Sequence, residues 1–333
     1  MSHAEQIASR ASRGCCSSTT RVREGTAASP SHTQKVFGRR QRVQSSRIGA
    51  RYYPPSRYPA AMTARIVRSL VVLLVALAAA ALLLAWLLQR RLLYFPERTG
   101  RAEAERRARA LGLEPWSPDG TLLGWRARTP GARGKLLVFH GNAGSALDRG
   151  YFVSLARAAP GLPLDLHLVE YPGYGPRPGD ASEPALLAAA REAIAAARRE
   201  GDGPLLVAGE SLGSAVAALA AAADPTAVDG VLLVTPLASV PAVARRHYPF
   251  VPAFAHRDTW RTDLALPRYG GRVAFLVAGR DEVVFADLGR ALYEAYPGPK
   301  RLWLDERATH NGVDWNPSIA RWREMIEFLA PSR

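Results

Sequence analysis

Leu205-Leu206-Val207-Ala208-Gly209-Glu210-Ser211-Leu212-Gly213-Ser214 is the stretch whose reading decides the fold. Four apolar residues run into G-x-S-x-G, and an alanine-rich segment extends to residue 223. That order predicts a buried strand, a sharp turn and a helix. A serine at the tip of such a turn, with a helix N-terminus behind it, is placed as a nucleophile. The two glycines answer a steric demand, because the turn is tight and neighbouring Cβ atoms would collide with it.

Partners for the serine lie downstream. Residues 273–277 predict an apolar strand that ends in Gly279-Arg280-Asp281-Glu282-Val283-Val284. Residues 301–304 predict another, whose exit loop carries Thr309-His310-Asn311-Gly312. Ser211, Asp281 and His310 thus stand in the chain order Ser…Asp…His. His310 is the expected general base, and Asp281 the group that fixes its tautomer and stabilises the imidazolium. Glu282 and Asp287 are rivals for the acid, but Asp281 comes first after the strand end. Among the other histidines, His247 and His256 fall in a long connection, His167 in mid-strand and His32 in the N-terminal tail. Asp305 and Glu306 read as partners of nearby basic side chains. Upstream, the apolar residues 136–139 run into His140-Gly141-Asn142-Ala143-Gly144-Ser145. A glycine-rich turn there can aim backbone N–H groups at a developing oxyanion, with Asn142 N–H and Leu212 N–H as the expected donors. The alternative for His140-Gly141 is a plain strand terminus.

These segments, together with Tyr171-Pro172-Gly173-Tyr174-Gly175, resemble the α/β-hydrolase superfamily in order and span about two-thirds of the chain. The resemblance extends to its membrane-anchored, serine-aminopeptidase-like bacterial branch. It implies an α/β fold: a mostly parallel twisted sheet with helices on both faces and a short lid insertion, preceded by a transmembrane helix. It implies a serine hydrolase acting on an ester, thioester or amide of a small-molecule or acyl substrate, with carboxylesterase-like ester cleavage leading and peptidase or acyltransferase activity following. Two positions depart from the pattern: Phe285, where relatives often have proline, and Gly312, where they often have aspartate. Neither is a triad position. No cofactor is expected, nor a metal, since no His, Cys and carboxylate cluster stands at metal-ligand spacing. A reading from another class is a catalytically silent hydrolase fold serving as a membrane-tethered scaffold; the complete Ser211, Asp281 and His310 set favours the enzyme. The sequence specifies neither the acyl group nor an oligomeric state.

Organisation follows from charge and hydropathy. The chain has 333 residues, 44 basic and 29 acidic, for a net charge of +15. Residues 1–61 carry 11 of the basic and 2 of the acidic side chains, and Arg65, Arg68, Arg90 and Arg91 flank an apolar run. What remains after Leu92 is nearly neutral, without a basic stripe interleaved with aromatics, so nucleic-acid binding is not expected. Residues 1–61 read as a basic, disordered tail, with Met62 an alternative start. Residues 69–88 are unbroken apolar sequence of bilayer-spanning length, so 62–91 is expected to be a transmembrane signal anchor. A cleaved signal peptide would have a shorter apolar core. Arginines load both flanks of the span, so the distribution of charge leaves the side of the catalytic domain open; an uncleaved anchor commonly leaves its short basic end inside, which favours a catalytic domain outside a bacterial inner membrane. Residues 92–333, about 240 in all, suit one α/β domain. The only lysines are Lys35, Lys135 and Lys300, an arginine and alanine bias expected of a GC-rich bacterial genome. Cys15 and Cys16 are adjacent and lie outside this domain, so they carry no information on redox compartment.

Strands are expected at 122–127, 136–139, 164–169, 205–208, 231–234, 273–277 and 301–304, and helices at 147–158, 183–199, 212–223, 287–295 and 318–329. In the last helix Ile319, Trp322, Ile326 and Leu329 form one apolar stripe. The long connection, about 237–271, is expected to be a lid. Its Tyr248, Phe250, Phe254 and Trp260 either line an acyl pocket or pack the lid onto the sheet.

Overall fold

A computed structural model describes residues 60–158, 162–249, 251–252, 255–316 and 320–331. Residues 1–59 of the expected basic tail, together with Phe250, Phe254 and Ile319, lie outside them, while its last two residues, Ala60 and Ala61, belong to a helix. The first helix, α1, runs Ala60–Leu93. Within it Ala61–Leu93 is long and apolar enough to cross a membrane, and is the one such helix among the described residues. At 1.5 Å per residue its 33 residues extend about 50 Å, against a hydrocarbon core of about 30 Å. At its C-terminal end Trp86, Gln89 and Arg90 meet the rest of the protein.

In chain order there follow β1 (Phe95–Pro96), α2 (Arg101–Ala110), β2 (Glu114–Trp116), β3 (Gly124–Ala127), β4 (Gly134–Phe139), β5 (Ala143–Gly144) and α3 (Phe152–Arg157). Then come β6 (Leu164–Val169), α4 (Glu183–Arg199), β7 (Leu205–Glu210), α5 (Leu212–Ala223), β8 (Gly230–Val234), α6 (Val240–His247) and α7 (Thr262–Ala265). The chain closes with β9 (Arg272–Ala278), α8 (Ala286–Ala295), β10 (Lys300–Asp305) and α9 (Ala320–Leu329). Eight strands make one sheet in the order β10-β9-β8-β7-β4-β6-β3-β2, while β1 and β5 pair separately. The run from β6 to β10 is parallel, and β3 is antiparallel to both its neighbours.

Two apolar layers enclose the sheet because alternate side chains of each strand point to opposite faces. Leu137, Phe139, Val207, Leu233 and Phe275 face a core closed by α4, α5 and α8. Leu136, Val138, Leu206, Leu232 and Leu276 face a second core, closed by α2, α3 and α9. Helix starts are chemically marked: Ser182 Oγ accepts the Ala185 N–H at the head of α4, and Ser239 Oγ accepts the Ala242 N–H at the head of α6. In α9, Trp322, Ile326 and Leu329 are buried as the apolar stripe requires, and Met325 joins them.

The expected helix at 147–158 is divided. A single 3₁₀ turn at Ala146–Arg149 is closed by a reciprocal cap between Ser145 and Asp148, and α3 begins only at Phe152. Between them Gly150 lies against Leu111, where an added Cβ would come within 2.9 Å of Leu111 Cδ1.

Candidate active site

Ser211 ends β7 and opens α5 with φ 53° and ψ −118°, a backbone conformation that an L-residue holds only when its surroundings impose it. Three bonds impose it here. Ser211 N donates to Val234 O at 3.0 Å, Ser214 Oγ donates to Ser211 O at 2.5 Å, and Leu237 N donates to Ser214 Oγ at 2.9 Å. The flanking glycines are where close approach is greatest. A Cβ on Gly209 would stand 2.0 Å from Gly213 O, and one on Gly213 would stand 2.0 Å from Phe139 O. The steric demand read from G-x-S-x-G is therefore met by backbone, which cannot yield as a side chain can.

The parallel strands deliver two later loops to this point. Asp281 follows β9 and His310 follows β10, and the two strands are hydrogen-bonded neighbours in register from Val273 with Lys300 to Ala278 with Asp305. His310 Nε2 lies 3.0 Å from Ser211 Oγ, and His310 Nδ1 lies 2.8 Å from Asp281 Oδ2. A carboxylate only accepts, so Nδ1 carries the proton and Nε2 is left as the acceptor facing the serine hydroxyl. Asp281 Oδ1 accepts from Val283 N at 2.9 Å and Val284 N at 3.0 Å. Burial pushes the Asp281 carboxyl up, but the hydrogen bond and charge of His310, with the two N–H groups, hold it below the usual carboxylate range. Asp281 is thus a buried, ionised acceptor.

The rivals are engaged elsewhere. Asp287 is exposed and pairs with Arg246, Asp305 accepts from Arg321, and His247 Nε2 meets Val283 O. His167 is buried against Glu200 and Trp116.

On the other side of the serine, Gly141 passes so close that an added Cβ would lie 3.7 Å from Ser211 Cβ. The next amide is that of Asn142. His140 Nδ1 lies 2.8 Å from Gly141 O, so the carbonyl of that peptide is held on one side and the Asn142 N–H is directed to the other. Neither Asn142 N–H nor Leu212 N–H donates to a backbone carbonyl among the described residues.

A cavity of about 220 Å³ contains Ser211 and His310. Sequence reading did not single out most of its other walls: Arg149, Tyr151, Glu210, Thr235 and Trp315. Glu210, the residue before the serine, accepts from Arg149 Nε at 2.7 Å and from the Tyr151 hydroxyl. Burial and the Glu210 charge push the Tyr151 phenol up, so it remains a donor. The wall combines a neutralised ion pair with the Tyr151 and Trp315 rings, whose centroids are 5.6 Å apart. A larger groove of about 840 Å³ lies by Arg133, Pro204 and Arg272, at the opposite ends of the strands. Ligands of such sheets bind at the carboxyl ends, where Ser211 is.

The connection expected to cover the site contributes none of its described residues from 237–271 to this cavity. Trp260 is fully buried in the core, so packing, and not the pocket, accounts for it. Both departures from the family pattern have local causes. Phe285 has φ 65°, a value closed to proline, and lies against His247 and under Arg246. A Cβ on Gly312 would stand 2.7 Å from Thr309 Oγ1.

A sheet in this order, with a serine on a strand-turn-helix elbow and an imidazole and a carboxylate brought to it by later strand ends, defines an α/β-hydrolase fold. The chain belongs to the alpha/beta hydrolase family, whose sequence pattern matches residues 136–329. It is 34% identical over 269 residues to the uncharacterized protein Rv2307c of Mycobacterium tuberculosis, covering 78% of this chain and 92% of that one. Among solved structures it is similar in fold to Est1E from Butyrivibrio proteoclasticus, at 17% identity and a TM-score of 0.52 over 66% of this chain and 99% of the other. The same protein with ferulic acid bound gives 18% identity and a TM-score of 0.51, over 65% and 99%.

Proposed function

We propose that the protein is a membrane-anchored serine hydrolase that cleaves small acyl esters through an acyl-enzyme on Ser211. The observation that carries this reading is the continuous relay from Ser211 Oγ through His310 to Asp281, at 3.0 and 2.8 Å. His310 Nε2 takes the hydroxyl proton as Oγ attacks the ester carbonyl carbon. The resulting oxyanion accepts from Asn142 N–H and Leu212 N–H. The imidazolium, stabilised by Asp281, gives its proton to the departing alkoxide, which leaves as the alcohol. Water then attacks the Ser211 ester by the same proton path, releasing the carboxylic acid and restoring the hydroxyl. A cavity of about 220 Å³ with polar and aromatic walls supports short acyl groups over long lipid chains. Thioesters and amides follow by the same chemistry.

The apolar helix α1 supports a single-pass anchor, with its short basic lead inside and the catalytic domain outside. Protease added to intact spheroplasts should digest the domain; protection until lysis would reverse the orientation.

The activity is tested with the full chain in detergent on p-nitrophenyl esters from acetate to decanoate. Turnover is expected on the short esters and at background for Ser211→Ala. Equal rates for wild type and Ser211→Ala would contradict the reading.

A further inference from the structure

We infer that the end of α1 and residues 93–97 are a working part of the catalytic unit, because they position Asn142 so that its N–H faces the site. The inference rests on Ser211 being the nucleophile. Asn142 is held on three sides by atoms remote from the chemistry. Its Nδ2 donates to Leu93 O at 2.9 Å, and its carbonyl accepts from Phe95 N at 2.8 Å and from Tyr174 Oη at 2.7 Å. The pairing continues as a parallel bridge between β1 and β5, and Glu97 N donates to Gly144 O at 2.9 Å. The side-chain Nδ2 and the backbone carbonyl of Asn142 are therefore fixed to the segment leaving the apolar helix and to Tyr174, and its backbone N–H is the expected oxyanion donor.

A second clasp secures that segment. Arg90 donates to both oxygens of Asp258, at 3.0 and 3.1 Å, and Tyr94 Oη donates to Asp258 Oδ2 at 2.9 Å. Asp258 is buried, and these donors satisfy both of its carboxylate oxygens. Trp260 Nε1 donates to Tyr94 Oη at 3.0 Å, and Gln89 Nε2 donates to Ala255 O at 3.2 Å. The 255–260 part of the long connection, expected to be a lid over Ser211, thus grips the base of the helix. Tyr94 is one residue from the Phe95 N–H that holds Asn142. Loosening the clasp moves the oxyanion donor, and a misplacement of about 1 Å at a reacting centre costs on the order of 100-fold.

The test uses the full chain in detergent micelles, with kcat and KM on p-nitrophenyl butyrate and the rate of fluorophosphonate labelling. The variants are Tyr94→Phe, Arg90→Ala, Arg90→Lys and Asn142→Ala, with Arg91→Ala as a charge-matched control on the same turn. Asn142→Ala keeps the N–H but loses the tie to Leu93, and kcat is expected to fall by about 10- to 100-fold with KM within about twofold. Tyr94→Phe and Arg90→Ala should lower kcat and labelling rate in parallel, Arg90→Lys should recover part of the loss, and Arg91→Ala should match wild type. If Tyr94→Phe and Asn142→Ala, folded by thermal denaturation, match wild type in kcat while Ser211→Ala is inactive, the positioning role is overturned. If wild type itself shows no Ser211-dependent turnover, the hydrolase reading fails, and this inference with it.

Discussion

Replacing Asp281 by asparagine tests the proposed proton relay at the point where the geometry is most constraining. Asp281 Oδ1 accepts two backbone N–H groups, from Val283 and Val284, and Oδ2 faces His310 Nδ1. In Asp281→Asn the amide oxygen must take the Oδ1 position, since the opposite orientation would set an NH₂ against two N–H donors and leave them unsatisfied, at about 1–3 kcal/mol each. The NH₂ is then directed at Nδ1, which must accept, and the imidazole proton moves to Nε2. That nitrogen, 3.0 Å from Ser211 Oγ, can no longer receive the hydroxyl proton. A wrong tautomer of this kind costs about 10⁴-fold in kcat, equivalent to about 5.4 kcal/mol in the barrier. The assay is steady-state hydrolysis of p-nitrophenyl butyrate by the full chain in detergent, with Asp287→Asn beside it. Asp287, exposed and paired with Arg246, should tolerate the change within about twofold. A loss below tenfold for Asp281→Asn, or a comparable loss for Asp287→Asn, would refute the assignment.

Other consequences are as direct. Gly213→Ala would place a methyl group 2.0 Å from Phe139 O, so the elbow cannot form, and the variant should not accumulate as folded protein. Trp322→Ala removes a buried indole whose Nε1 donates to Leu155 O at 2.9 Å, and should lower stability by about 3–5 kcal/mol, read from denaturant midpoints. Burial alone would raise the Glu200 carboxyl, but hydrogen bonds from His167 and Trp116, with Arg126 nearby, bring it from 4.5 down to about 2. A depressed folded-state pKa makes the unfolded chain the stronger proton binder, so this contribution is complete above about pH 4.5 and is lost as pH falls towards 2. The melting temperature of wild type should therefore exceed that of Glu200→Gln by a margin that shrinks across that interval; a margin independent of pH would contradict it.

The sheet was legible because its strands are short apolar runs between glycine- and proline-rich turns, and residues 164–169, 183–199 and 212–223 fall on observed elements end for end. The elbow and the two later loops were legible because chain order and strand ends constrain them. Helix α2 was not, since Arg101–Ala110 offers only Ala104 and Ala108 as an apolar stripe. The cavity walls were not, since Arg149 and Tyr151 meet Glu210 from about 60 positions away and no local pattern records such a contact. The ties on Asn142 were hidden for the same reason: β1 and β5 are two residues each and depend wholly on partners distant in sequence. Trp260 has aromatic character suited to a pocket or a core, and only its bond to Tyr94 decides for the core.

The most direct measurement is the site of covalent labelling. The full chain in detergent is treated with a fluorophosphonate, digested, and its peptides are mapped by mass spectrometry beside Ser211→Ala. A single adduct on the peptide carrying Ser211, absent from the alanine variant, is expected of a serine activated by His310 and Asp281. A folded wild-type protein that takes no adduct, or takes it equally in Ser211→Ala, would contradict the nucleophile assigned here.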